Sequence, residues 1–163
     1  GRRYFTEKLP SNFVNIGFIL KTVPGARLIN LVRDPMGTCF SNLRNLFNFE
    51  CGYSYDQTEL ADYFAWYRDL MAFWHQTFPG AILDVHYDRL VAEPEAAMKE
   101  VCGHLGLDYH PDMVALQTQG RRVATASTVT VREGLQTGRN AQWHPYREHL
   151  RPLQERLASH GLI

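Results

Sequence analysis

Residues 30–45 read NLVRDPMGTCFSNLRN, and the parsing of this stretch decides the fold. It completes an apolar run, ARLINLV (26–32), that is short and followed by a turn, as suits a buried parallel strand. Arg33 stands directly after the run, Asp34-Pro35 turns the chain, and from Met36 to about Asn48 the apolar residues take a helical period. The stretch therefore predicts a strand that ends on a cation and feeds a helix opened by proline, the repeating unit of an α/β protein.

The flanks agree with that parsing. Upstream, Pro10-Ser11-Asn12 starts a helix with Phe13, Ile16, Gly17 and Leu20 at helical spacing, and Pro24-Gly25 stops it. Downstream, CGYSYD (51–56) reads as a loop. Residues 57–78 form the longest periodic segment, with Leu60, Phe64, Tyr67, Met71, Trp74 and Phe78 at alternating steps of four and three. Tyr63, Trp66, Leu70 and Phe73 widen that stripe, so a helix facing the core over much of its girth is expected. Pro79-Gly80 ends it, and AILDVHY (81–87) is a second strand. Pro94 opens a helix with Met98, Val101, Cys102 and Leu105 on one face and Gly106 as its stop. A short helix is expected around 111–118 and a loop over 120–142. Tyr146, Leu150, Leu153 and Leu157 mark a closing amphipathic helix. The order of elements is that of an α/β domain with a parallel sheet. Two strands are few for such a sheet, so a missing N-terminal part or a partner chain is expected to supply the rest.

Composition narrows the function classes. The chain has 163 residues, 17 basic and 17 acidic, so no basic surplus points to a nucleic-acid partner. Of the basic residues only Lys8, Lys21 and Lys99 are lysines. Cys39, Cys51 and Cys102 are odd in number and lack C-x-x-C or metal-ligand spacing, which favours reduced thiols and a cytoplasmic setting. No metal is expected, because the seven histidines and three cysteines never fall into zinc-ligand spacing. No G-x-S-x-G elbow suggests a hydrolase. No apolar run approaches the roughly 18 residues of a membrane span. Position 1 is not Met, and GRRYFTEKLP looks cut from something longer.

Arg33 is the first candidate site residue. In open α/β sheets ligands bind beyond the carboxyl ends of the strands, where helix N-termini converge and favour anions. An arginine there offers a planar fork of donors that matches phosphate oxygens. Ser41, one to two turns into the following helix, could add a hydroxyl to the same oxygens. On spacing alone a second reading stands beside this one: Arg33 pairs with Asp34 or another surface carboxylate, and Ser41 faces solvent.

The wider sequence TEKLPSNFVNIGFILKTVPGARLINLVRDPMGTCFSNL (6–43) resembles the central block of sulfotransferases that use 3′-phosphoadenosine-5′-phosphosulfate (PAPS), most of all the bacterial, tetratricopeptide-linked group. The likeness continues through residues 55–95, including a Tyr-Asp-x-Leu-Val turn after the second strand. It also takes in LGLDYHPDMV, TASTVTVRE and WHPYREHLRPL, so it covers nearly the whole chain in order. The resemblance implies a P-loop-like α/β fold. It implies that Arg33 and Ser41 bind the 3′-phosphate, that Tyr87 lies near the adenine, and that Arg132, Gly134, Gly138 and Arg139 belong to a late loop that closes over the phosphate. Relatives place Gly-Arg directly before the Trp, whereas GRNAQW here displaces Gly138-Arg139 from Trp143. Glu7 and Lys8 match an acidic-Lys pair that supplies a catalytic base in the heparan-type branch; the plainer alternative is a solvated Glu ahead of a helix. The acceptor would be a small molecule, carbohydrate or peptide.

One part of the family pattern is missing. Relatives hold the 5′-phosphosulfate in a Ser/Gly/Thr-rich loop after their first strand, and no G-x-x-x-x-G-K-[ST], G-x-G-x-x-G or similar run occurs in these residues. The chain is thus expected to be the C-terminal part of one sulfotransferase domain, inactive by itself. Two alternatives are a non-catalytic nucleotide- or partner-binding module on the same fold and a phosphotransferase on the related kinase scaffold. The lack of a Walker lysine counts against the second of these.

Overall fold

The computed structural model describes residues 4–47, 49–115 and 138–163. A 3₁₀ helix over Pro10–Asn15 runs into α1 (Ile16–Thr22), followed by β1 (Leu28–Val32), α2 (Pro35–Leu43), a kinked 3₁₀ stretch over Phe49–Tyr55, and α3 (Gln57–Thr77). Then come β2 (Ile82–His86), α4 (Tyr87–Ala92), α5 (Pro94–Leu105), 3₁₀ turns at Pro111–Met113, Arg139–Ala141 and His144–Leu150, and α6 (Arg151–Ser159). The architecture is α/β, with β1 and β2 parallel in the register Leu28↔Ile82 to Val32↔His86. No helix among the described residues is long and apolar enough to cross a membrane.

Local chemistry sets the element ends. Pro35 occupies the first turn of α2 and the Asp34 side chain caps it, accepting from the Gly37 N–H at 2.5 Å. The helix ends at Leu43 rather than Asn48. Its asparagines turn back on it, Asn42 Nδ2 donating to the Thr38 carbonyl and Asn45 Nδ2 to the Ser41 carbonyl, the competition that makes such residues poor helix propagators. Asp56 caps α3 through the Thr58 and Glu59 N–H groups at 2.8 and 2.9 Å. Gly106 ends α5 in the left-handed conformation, with φ of 66°.

Helix α3, about 30 Å long, is the spine. Its first half contributes Leu60, Ala61 and Phe64 to a core with Met36, Cys39 and Phe40 of α2 and with Leu150, Leu153 and Leu157. Its second half contributes Met71 and Trp74 to another core with Ile16 of α1 and Ile82 of β2. Tyr67 packs against both. Gly17 matters here, because a Cβ at that position would come within 2.8 Å of the Trp74 ring. The same indole donates to the Phe13 carbonyl at 2.8 Å, fastening the 3₁₀ segment before α1 to the spine.

Several sequence expectations change. The strands are shorter than 26–32 and 81–87, and Tyr87 opens a helix instead of closing a strand, so the Tyr-Asp-x-Leu-Val stretch is helical rather than a turn. CGYSYD lies mostly in the Phe49–Tyr55 3₁₀ stretch rather than in a plain loop, with non-helical backbone at Cys51. The spine is less fully enclosed than its aromatic content suggests: Trp66 and Phe73 remain 45% and 51% exposed. Trp66 instead packs edge-on against Phe13, with ring centroids 5.3 Å apart. In β1, Ile29 and Leu31 are 45% and 55% exposed on one face, as at the border of a small sheet.

Candidate functional site

The strand register brings the leading candidates together. Val32 is opposite His86, so the next residues, Arg33 and Tyr87, leave adjacent parallel strands side by side at their carboxyl ends. The Arg33 guanidinium carbon lies 5.4 Å from the centroid of the Tyr87 ring, within cation–π range. Asp34 and Asp88 come next in the two strands' sequels. Asp34 caps α2, and Asp88 sits in the first turn of α4, where a carboxylate complements the helix dipole.

Between the two strand ends lies a residue that sequence reasoning passed over. Asn140 Oδ1 accepts from Arg33 Nε at 2.6 Å, while Asn140 Nδ2 donates to both oxygens of Asp88, at 2.8 and 2.7 Å. The amide can be oriented only this way, because a guanidinium has donors alone and a carboxylate acceptors alone. Asn140 reaches this position through a tight turn: Gly138 adopts φ of 76°, a left-handed conformation natural to glycine, and its carbonyl accepts from Ala141 N. Trp143, packed against the α2–α3–α6 core, anchors the segment on its far side.

Helix α2 is shaped to receive this segment. A Cβ on Gly37 would come within 2.9 Å of Asn140 Oδ1 and 3.1 Å of Asn140 Cα. Ser41 lies one turn beyond Gly37 on that same face, and Arg44 nearly another turn on, donating to Gln142 Oε1 at 3.2 Å. Two arginines thus pin residues 140–142 along α2, with half-buried Ser41 between them. Thr38 Oγ1, sealed from solvent in the first turn of α2, has no hydrogen-bond partner among the described residues. On the core side of the helix, burial and then the nearby Asp34 charge push the Cys39 thiol up to about 12, so it stays protonated at neutral pH.

The other candidates stand elsewhere. Glu7 and Lys8 are exposed in the segment before Pro10, and no described contact joins them to the Arg33 cluster. Arg132 and Gly134 lie outside the described residues. Gly138 and Arg139 belong to the turn that delivers Asn140. The Asp34 carboxylate of the second reading of Arg33 is used as the α2 cap, one of its oxygens accepting from Gly37 N.

A strand-end arginine beside an aromatic ring, with the N-terminus of α2 next to it, is an arrangement able to hold an anion joined to a flat ring. The sequence matches the model of the sulfotransferase family over residues 1–111. This chain belongs to the sulfotransferase family. A protein of Aquifex aeolicus (strain VF5), described as uncharacterized, is 31% identical to this chain over 154 residues. The match takes in 93% of this chain and 20% of the relative, so the chain spans about a fifth of the length of that protein. The family match covers both strand ends with Arg33, Asp34, Tyr87 and Asp88, and it stops short of Asn140.

Proposed function

We propose that this chain is the nucleotide side of a PAPS-dependent sulfotransferase of the bacterial, tetratricopeptide-linked type, on a P-loop-like α/β fold whose 5′-phosphosulfate loop is contributed from outside these 163 residues. The observation that carries the reading is the meeting of Arg33 and Tyr87, 5.4 Å apart at the carboxyl ends of adjacent parallel strands. Arg33 supplies the charge for the 3′-phosphate, and Ser41 adds a hydroxyl from the α2 face that carries the late segment. The Tyr87 ring offers a stacking surface for adenine, and Arg132, Gly134 and Arg139 close over the phosphate. The donor supplies a sulfuryl group on a good leaving phosphate, which passes in line to a hydroxyl or amine of a small-molecule, carbohydrate or peptide acceptor. Positioning and positive charge are what the protein must provide for such a transfer. Glu7 takes the acceptor proton, with Lys8 beside it to stabilise charge.

The exposed setting of Glu7 and Lys8 favours keeping a second reading, a non-catalytic nucleotide-binding module on the same fold. Calorimetric titration with 3′-phosphoadenosine-5′-phosphate, with ADP for comparison and Arg33→Ala as control, tests the shared part of both readings. Binding that prefers the 3′-phosphate and fails in the variant supports it, and equal affinity for ADP sinks it. Sulfuryl transfer by a longer polypeptide that includes an upstream phosphate loop, lost on Glu7→Gln, separates the enzyme from the module.

A further inference from the structure

We propose that Asn140 is a positioning residue and a neutral spacer for Arg33, holding the guanidinium in place for an anion while keeping the Asp88 carboxylate from neutralising it. The inference rests on the phosphate-binding reading of Arg33. Its basis is the chain Arg33 Nε–H to Asn140 Oδ1 and Asn140 Nδ2 to Asp88, with distances of 2.6, 2.8 and 2.7 Å.

Tyr87 and Asp88 are consecutive, and Tyr87 is already within cation–π range of Arg33, so Asp88 starts close to the same cation. Direct contact would give a charge-assisted ion pair, satisfying both groups and leaving a phosphate to compete with a carboxylate. The interposed carboxamide prevents this. It presents an acceptor to the cation and a donor to the anion, so each charge is hydrogen-bonded but neither is cancelled by the other. Its grip is on Nε, at the root of the fork, and therefore fixes the direction in which the terminal nitrogens extend. Gly37 leaves the space that this grip requires, since a Cβ there would meet both Oδ1 and Cα of Asn140. Because Asn140 is carried by the turn at Gly138, the late segment is coupled to the strand-end cation through one side chain.

The charge logic allows the two ends of the bridge to be exchanged. In the double variant D88N/N140D both links can be kept: Arg33 donates to a carboxylate at position 140, and an amide at position 88 donates to that same carboxylate. The difference is that the negative charge now touches the arginine. Two measurements on the 163-residue chain decide the matter. The first is the NMR Nε–Hε correlation of Arg33 in the ligand-free protein, assigned by its loss in Arg33→Lys. It should be protected from exchange in the parent and in the double variant, and exposed in Asn140→Ala. The second is calorimetric affinity for 3′-phosphoadenosine-5′-phosphate and for ADP. The double variant should bind the former at least about tenfold more weakly than the parent, the loss of roughly one charge-assisted hydrogen bond, with little change for ADP.

Full affinity in the double variant, with Arg33 Hε protected, would overturn the spacer role. An Arg33 Hε signal unmoved by Asn140→Ala would overturn the positioning role. If the parent binds neither nucleotide, the phosphate reading falls and the spacer role with it, while the Hε signal still reports whether the bridge holds Arg33.

Discussion

Among the described residues, two asparagine–aspartate bridges share one design and differ in what holds them. In the middle of the sheet Asn30 accepts from the Tyr67 hydroxyl at 2.8 Å and donates to Asp84 Oδ1 at 2.8 Å. Asn30 and Asp84 face each other in the β1–β2 register, and Tyr67 comes from the spine helix. His75 Nε2 lies 3.1 Å from the other Asp84 oxygen but is not aligned for a hydrogen bond, so it contributes charge proximity at most. At the strand ends Asn140 accepts from Arg33 and donates to Asp88. The first bridge starts from a neutral hydroxyl and is built wholly on strands and a helix. The second starts from a permanent cation and is completed by a residue 107 positions away in sequence. The first ties the sheet to its covering helix, and the second carries the cation of the proposed site.

The largest effect should come from removing the cation. Arg33→Ala is expected to weaken binding of 3′-phosphoadenosine-5′-phosphate by about 10- to 100-fold, the scale of one charge-assisted contact, while stability, which loses the Asn140 and Tyr87 contacts, falls less than in Asn30→Ala. Titration calorimetry and a melting curve on the same preparation check both halves. Asn30→Ala should do the reverse, leaving the Asp84 and Tyr67 polar groups short of a partner. The expected cost is about 1–3 kcal/mol of stability in urea unfolding, with nucleotide affinity within about twofold. If Asn30→Ala and Arg33→Ala lowered affinity alike, the division between a scaffold bridge and a ligand bridge would be lost.

A smaller effect should come from Gly37→Ala. The new methyl meets backbone as well as side chain of Asn140, so the late segment must shift by a few tenths of an ångström. A several-fold loss of nucleotide affinity is expected, and the better helix propensity of alanine should be offset at α2, because the methyl also comes within 3.1 Å of the capping Asp34 oxygen. The mildest change concerns a third aspartate, which pairs without an amide between. Asp62 accepts from Arg156 at 2.6 and 3.1 Å and lies 2.7 Å from His160 Nε2, and these partners hold its carboxyl below the ordinary value of 3.8. Its contribution to stability is therefore complete above that value and lost as pH falls through the lower folded pKa. This pair is on the surface, so Asp62→Asn should flatten the acid limb of the stability–pH curve only slightly, and less so in high salt.

Much of the fold could be read before any coordinates. The strands announced themselves by short apolar runs closed with turn residues, and the spine helix by its aromatic period. Helix ends were harder. That α2 stops at Leu43 depends on Asn42 and Asn45 folding back on their own turn, which apolar spacing does not report. The proposed site was legible in the same uneven way. Arg33 showed as a cation closing a buried run, and Tyr87 came from a family likeness before the register explained its nearness. Asp88 could have been found by laying the two strand ends side by side, since Arg33-Asp34 and Tyr87-Asp88 leave the sheet in step. Asn140 had no such signal. Its role arises from a turn at Gly138 and from the room left by Gly37, neither of which has a period or spacing that points to the other.

Helix α3 carries one further consequence. Because Tyr67 packs into both cores, the two halves of the described structure share a side chain where they meet. Loss of packing at Leu153, at one end of the spine, should then be felt in the amide-exchange rates of β1 at the opposite end. The chain should melt as a single cooperative unit, and the proposed nucleotide site should vanish in the same transition as the sheet that displays it.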